Sequence, residues 1–427
     1  MTVNQITARR VLWETILHNQ FPTRVLGAEL SKHNFPAQDH AFARELLSGS
    51  IRWQLTLDTI VNAHTQGRVR NQYALSAIRL GLYQLLFMDS VAEYAAINET
   101  INAAKPELGK ETKFVNAVLR SVVRGIVSGK SKLGETHSFA ARNVVFAKAI
   151  FADPKQQPQL AAAQQFSFPL FLVNRWWQEV GEEKCMQRLH NLNKPAPLWR
   201  RMNLCKSSVK DAGVCQPFKL EAGEAIHQHP GFESGEWAIQ DITSFETAMY
   251  AEASAGSRIL DLCAAPGGKT FAIAEHLNGE AEFHACDISE QRLETMQIEG
   301  GRLGHDINYH HISEDGDGLP GGSFDLVICD VPCSNTGVVN KRAEARHRFS
   351  KKYLHEIETV QNVFRKKVLA KVVDENTNIL YSTCSLEPEE NQAMAARIAK
   401  AFSKSIIRQQ TVEPDGERAG GYMALIK

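Results

Sequence analysis

Two cysteines stand in polar stretches that read as strand exits: Cys333 in Asp330-Val331-Pro332-Cys333 and Cys384 in Thr383-Cys384-Ser385. A Gly-rich strand exit precedes them, Leu260-Asp261-Leu262-Cys263-Ala264-Ala265-Pro266-Gly267-Gly268-Lys269. Together they could methylate a carbon. Gly267 and Gly268 let backbone N–H groups come close to a ligand, because no Cβ intervenes. A cysteine thiolate can add to C6 of a pyrimidine and make C5 nucleophilic, and a second thiol can help take the adduct apart. Charge then builds at the N3/N4 edge of a cytosine and needs an acid or a hydrogen-bond partner. Asp330, beside Pro332-Cys333, is positioned for that role.

The methyl donor needs its own contacts. Asp287 lies nineteen residues beyond Gly268 at the end of the next strand, where a carboxylate can accept both ribose hydroxyls of a nucleoside. Asp315, after the third strand, could take the adenine amino group, with Asp317 a close competitor. Gly268-Lys269-Thr270 looks like the end of a phosphate-binding loop, but GxxxxGK[ST] requires glycine where this chain has Cys263. The GxGxxG fingerprint is also absent. S-adenosylmethionine therefore fits better than ATP or NAD. Cys185, Cys205, Cys215, Cys286 and Cys329 are expected to be buried small hydrophobes, and Cys263 a packing residue of the loop. With no CxxC pair, neither zinc nor disulfides are expected.

The elements that must carry these residues fall into two grammars. The first ~130 residues read as helices, with apolar stripes Phe42-Leu46-Gly49-Trp53, Ile78-Leu82-Leu85-Leu86 and Val115-Val118-Leu119-Val122-Ile126. Ser128 to Gly134 breaks the periodicity as an exposed linker would. Helical sequence returns around Leu160 to Leu189, where Trp176-Trp177 reads as core. Pro195 and Pro197 open a mixed segment to about residue 235, with Trp199 to Asn203 as a strand carrying basic side chains. From about Gly235 strands and helices alternate: strands at 258–262, 282–286, 307–312, 324–329 and 379–382, and helices at 270–277 and 290–300. The polar residues singled out sit at strand C-termini, where open parallel sheets bind ligands.

The chain of 427 residues is long enough for two or three domains, and its 43% hydrophobic and 22% charged content is that of a soluble globular protein. No apolar run approaches a membrane span and Met1 to Gln20 lacks a signal-peptide pattern, so a cytoplasmic protein is expected. A net charge of zero gives no support to nucleic-acid binding. Local basic clusters could do so: Lys194 with Arg200 and Arg201, Lys341 to Lys352, and Arg365-Lys366-Lys367.

DVPCSNTGVV and YSTCSLEPEEN, with LDLCAAPGGKT upstream, resemble the signature segments of bacterial RNA cytosine-C5 methyltransferases. The similarity is greatest to the type acting on small-subunit (16S) ribosomal RNA, often called Fmu or Sun. Phe42 to Leu46, Arg79 to Leu85 and Phe114 to Arg120 resemble its NusB-like helical RNA-binding domain. Gln240-Asp241 and Ser244 resemble the approach to its catalytic domain.

The resemblance implies a multidomain chain: an all-α NusB-like domain (1–130), a linker (131–155), a small mixed α/β middle RNA-binding subdomain (156–235) and a Rossmann-like class I methyltransferase α/β domain (236–427). A C-terminal antiparallel hairpin would include Tyr422 to Ile426. Cys384 would be the nucleophile and Cys333 would assist product release. Cys263, Ala264, Ala265, Pro266, Gly267, Gly268, Lys269, Asp287, Asp315 and Asp330 would line the S-adenosyl-L-methionine and base pocket. The partner would be ribosomal RNA, with no DNA, no membrane and a monomeric protein. The chain departs from the family pattern at Asn335, Asn340-Lys341, Ala343-Glu344 and Arg346-His347, where the Asn-Lys pair replaces two arginines and weakens bidentate phosphate contacts. An RNA-binding assembly factor without activity and a transfer RNA methyltransferase are the competing readings.

Overall fold

A computed structural model describes residues 7–18, 22–67, 69–206, 215–218 and 226–427. Residues 1–6 and 19–20 of the leading stretch, and 207–214 and 219–225 of the expected middle subdomain, lie outside the described residues. The chain forms two compact units, 1–193 and 194–427.

The first unit opens with seven helices: α1 (Ala8–His18), α2 (Pro22–Ser31), α3 (Ala37–Arg52), α4 (Gln54–Thr65), α5 (Gln72–Phe87), α6 (Glu93–Leu108) and α7 (Thr112–Gly125). Asn71 starts α5 by accepting the N–H groups of Tyr73 and Ala74 with its side chain. Helices α3 and α5 touch because Gly49 has no Cβ; one would lie 1.9 Å from the Tyr83 ring. Leu46, Ile78, Leu82, Leu86, Val115, Val118, Leu119 and Val122 are buried in one core, as their spacing requires.

The last member of the third stripe departs from helix. Ile126 follows Gly125 in extended conformation and begins β1 (Ile126–Val127), which pairs with β3 (Val144–Phe146). With β2 (Ser138–Phe139) these make a three-stranded sheet, two strands of which lie in the 131–155 stretch expected to be a linker. Helices α8 (Pro158–Phe166) and α9 (Leu170–Asn191) complete the unit, α9 being broken at Gly181, whose φ of 79° needs glycine. The Thr56 hydroxyl donates to the Gln164 carbonyl at 2.6 Å, and the Leu55 N–H donates to the Ser167 hydroxyl at 3.0 Å. These bonds tie α8 to α4, so the division falls between Asn193 and Lys194 and cuts the expected 156–235 subdomain in two. Trp176 is fully buried, 5.7 Å from the Phe168 ring centre.

The second unit begins with a small antiparallel sheet, order β5-β4-β6: β4 (Leu198–Met202), β5 (Cys215–Phe218) and β6 (Trp237–Ile239). Beyond α10 (Ile242–Met249) come β7 (Arg258–Asp261), α11 (Gly268–His276), β8 (Glu282–Asp287), α12 (Glu290–Leu303), β9 (Asn308–His311), β10 (Leu326–Asp330), α13 (Ala345–Arg348), α14 (Lys351–Lys367), β11 (Asn378–Thr383), α15 (Gln392–Ala401), β12 (Ile406–Val412) and β13 (Gly421–Ile426). The seven-stranded sheet runs β12-β13-β11-β10-β7-β8-β9. Its strands β11 to β9 in that order are parallel, and β13 and β12 are antiparallel additions. The apolar runs of the parallel strands alternate between two helical layers. Ile259, Leu326 and Ile328 face the core that holds Phe271 and Met296, while Leu260, Val327 and Cys329 face the one that holds Leu369 and Ile398.

The chain moves outward from β7 through β8 to β9, then returns to place β10 on the other side of β7. That reversal opens a crevice at the strand C-termini between β7 and β10.

Candidate active site

Three strand ends deliver the polar groups. Asp261 ends β7, Asp330 ends β10 and Thr383 ends β11, with Asp330 level with Ser382 across the parallel pair. Asp330 accepts the Ser382 hydroxyl on Oδ1 at 2.8 Å and the Lys269 ammonium on Oδ2 at 2.6 Å. Lys269 is 9% exposed; burial works against its charge, yet Asp330 and the Cys384 sulfur outweigh it and raise its pKa. Asp261 is buried, and burial lifts its pKa to about 7 despite the Thr270 hydroxyl at 2.7 Å.

The two cysteines are brought together. The backbone N–H of Cys384 donates to the Cys333 sulfur at 3.3 Å. A hydrogen bond with Cys333 lowers the Cys384 pKa; burial and Asp330 oppose this, while Lys269 and Arg342 reinforce it. The same bond, then burial, pushes the Cys333 thiol up. Cys384 is half-buried and Cys333 buried, and all eight cysteines are free thiols. The pair thus has one sulfur inclined to ionise and one inclined to keep its proton.

The Gly-rich exit bends at Gly267, whose φ of 100° is left-handed and whose Cβ would lie 2.3 Å from the Phe271 ring. The turn aims the first N–H groups of α11 outward from the helix N-terminus. Asp287 is 2% exposed at the end of β8. It accepts the Ser289 N–H at 3.0 Å and pairs with Arg292 at 3.2 Å. Arg292 also donates to the Ala265 carbonyl, which ties the carboxylate to the Gly-rich loop. Buried acid, close backbone and helix N-terminus fit a donor with ribose hydroxyls and a carboxylate. Among the described residues no cluster of His, Cys, Asp and Glu could hold a metal.

Residues 248–423 match the 16S rRNA methyltransferase RsmB/F family, and residues 3–124 match the NusB family. The first of these matches falls within the second unit and the other within the first unit. The chain is 29% identical to a probable ribosomal RNA small subunit methyltransferase B of Synechocystis over 390 residues, 86% of this chain and 82% of that protein. It is 27% identical to the ribosomal RNA small subunit methyltransferase B of an Escherichia coli strain over 411 residues, 89% and 87% of the two. A methyltransferase homolog from Pyrococcus horikoshii superposes with a TM-score of 0.55 at 24% identity, covering 63% of this chain and 98% of that one, which shows the shared fold. The chain is an S-adenosylmethionine-dependent RNA methyltransferase.

Other residues singled out in the sequence have partners of their own. Asp315 is exposed on the loop after β9 and paired with Lys367 of α14 at 2.6 Å, which holds its pKa down. Asp317 is exposed too, 3.8 Å from Lys371. No contact among the described residues joins either to Asp261, Asp287 or Asp330. Arg201 does not present a basic surface: it is 1% exposed and pairs with Glu275 at 2.7 Å, because β4 packs against α11. Arg346 is likewise fully buried. Lys341 pairs with Asp241, and Arg342 donates to Asn335 at 3.1 Å. Cys185, Cys286 and Cys329 are buried as expected, but Cys205 is exposed in the turn after β4 and Cys215 half-buried on an edge strand. Asp261 and Ser382 were missed by sequence reasoning. Asp261 carried the same signal as Asp287 and Asp330, an acid closing an apolar strand. No helix among the described residues is long and apolar enough to cross a membrane.

Proposed function

We propose that this enzyme methylates C5 of a cytosine in small-subunit ribosomal RNA through a covalent bond between Cys384 and C6. The observation that carries the reading is the Cys384–Cys333 pair set against Asp330 and Lys269. Cys384, with its lowered pKa, supplies the thiolate that adds to C6. Asp330, braced by Lys269 and Ser382, would meet the N3/N4 edge, pass N3 a proton as the C6–sulfur bond forms and take it back when that bond breaks. S-adenosylmethionine supplies the electrophilic methyl group. Asp287 and the Cys263-to-Lys269 loop would hold its ribose and its methionine end. Asp315 would reach its adenine only by leaving Lys367.

Once the Cys384 sulfur is bonded to C6, its negative charge no longer keeps the Cys333 proton in place. Cys333 then gives its proton to solvent and its thiolate accepts the C5 proton of the methylated adduct, the ring electrons return, and the C6–sulfur bond breaks to restore the Cys384 thiolate. The target base must be in a loop or turned out of its helix, since stacking shields C6.

The names of the relatives that match along most of the chain support ribosomal over transfer RNA. The test is incubation of purified protein with labelled donor and unmodified small-subunit ribosomal RNA or transfer RNA, followed by nucleoside analysis. Label in 5-methylcytidine of the ribosomal RNA is expected. Label only in transfer RNA, or in neither, would overturn the assignment.

A further inference from the structure

Glu390 lies beneath both cysteine loops, is completely buried, and belongs to neither catalytic strand end. Its Oε2 accepts the backbone N–H of Ser334, the residue after Cys333, at 2.8 Å. Its Oε1 accepts the hydroxyl of Ser385, the residue after Cys384, at 2.7 Å. The two serine hydroxyls lie 3.0 Å apart, and Gln361 donates both to Oε2 at 3.4 Å and to the Pro332 carbonyl at 3.0 Å. Glu390 is held in turn, its own carbonyl accepting the Tyr381 hydroxyl at 2.6 Å. Among the described residues no cation pairs with it. A carboxylate without a counter-ion is costly to bury, and here only the donors of the two cysteine loops and Gln361 offset that cost.

We propose that Glu390 is a positioning residue that holds the Cys333 loop in register with the Cys384 loop for product release. The inference rests on the covalent reading above. The thiol that accepts the C5 proton must stay beside the sulfur that leaves C6, and the 3.3 Å contact between Cys384 N–H and Cys333 Sγ is the one that sets this spacing. Glu390 fastens the residue next to each partner in that contact. Addition to C6 needs only Cys384, so loosening the staple leaves addition in place. Elimination needs both sulfurs, so it slows.

All three groups facing the carboxylate are donors. Glu390→Gln therefore keeps the shape and can turn its amide nitrogen only toward Ser385, whose hydroxyl can also accept. Glu390→Ala removes the staple, and Ser385→Ala removes one arm of it while the buried acid remains. The readout is the denaturant-stable RNA–protein species formed with donor present, followed in time beside donor affinity. Glu390→Ala and Ser385→Ala are expected to accumulate that species and release it about tenfold to a hundredfold more slowly, with donor affinity within about twofold of the parent. Glu390→Gln is expected to recover most of the release rate. If Glu390→Ala lost donor binding through misfolding, Ser385→Ala would decide; release at the parental rate in Ser385→Ala, or in a folded Glu390→Ala, overturns the proposal. The control is Cys333→Ala: if it accumulates the species while the Glu390 and Ser385 variants do not, only the positioning role fails. If Cys333→Ala accumulates none, the covalent reading itself fails.

Discussion

Cys384 gives its backbone N–H to the sulfur of Cys333 at 3.3 Å, although 51 positions separate them in the chain. The contact follows from parallel pairing of β10 with β11, which sets Asp330 level with Ser382. Three residues past Asp330 and two past Ser382, the loops meet over the C-terminal edge of the sheet. The pairing pulls the two thiols in opposite directions, Cys384 toward ionisation and Cys333 toward keeping its proton.

That pairing predicts opposite outcomes for the same deletion. Cys384→Ala should abolish methyl transfer and leave no covalent RNA–protein species, because nothing attacks C6. Cys333→Ala should form the bond and fail to release it, so a band resistant to denaturant accumulates on a gel. Trapping by Cys384→Ala and not by Cys333→Ala would reverse the roles.

Asp287 should govern the donor and not the RNA. Its carboxylate is 2% exposed and held by Ser289 and Arg292 at the end of β8. Asp287→Ala should weaken S-adenosylmethionine binding about tenfold to a hundredfold in a calorimeter. RNA affinity measured without donor should stay within about twofold of the parent.

Asp261 should make stability fall with rising pH. Its folded pKa is raised from 3.8 to about 7, so between those values the folded state holds a proton that the unfolded state has lost. The contribution is therefore fully present below the unfolded value and disappears as pH rises through the folded one, at up to about 1.4 kcal/mol per pH unit. Denaturant unfolding at pH 5, 6 and 7 should show this slope, and Asp261→Asn should flatten it. An unchanged slope in the variant would assign the effect to another group.

Basic residues at the surface near the Cys333 loop should supply salt-sensitive RNA affinity. Lys351 and Lys352 open α14 and are exposed, as is Arg342. Replacing the three with alanine should lower RNA affinity and reduce the salt slope by about 0.7 to 0.9 for each phosphate left without its cation. Donor affinity should not move; if it fell with RNA binding, the segment would belong to the donor site.

The places of several strand-end residues were legible in the sequence, because local rules set them. An apolar run ending in an acid marks the mouth of a parallel strand, which located Asp287 and Asp330. Glycine pairs mark a close backbone approach, which located the turn at Gly267. Helical periodicity marked the cores of α3, α5 and α7. Partnership was not legible, because it depends on which distant element lies alongside. Arg201 and Arg346 read as surface charge and are buried; β4 packs on α11, and Arg201 meets Glu275 there. Asp315 read as a ligand-binding acid and is paired with Lys367, since α14 passes the loop after β9. Glu390 stood inside the quoted YSTCSLEPEEN segment with nothing local to mark its partners. Its importance arises only when two strands joined in register bring Ser334 and Ser385 to the same carboxylate. The sequence by itself determined which residue types stand at each strand end, since periodicity and turn chemistry act over a few residues. Only the tertiary structure decided which of them meet in an ion pair or a hydrogen bond, because those energies fall off within a few ångströms and depend on neighbours far away in the chain.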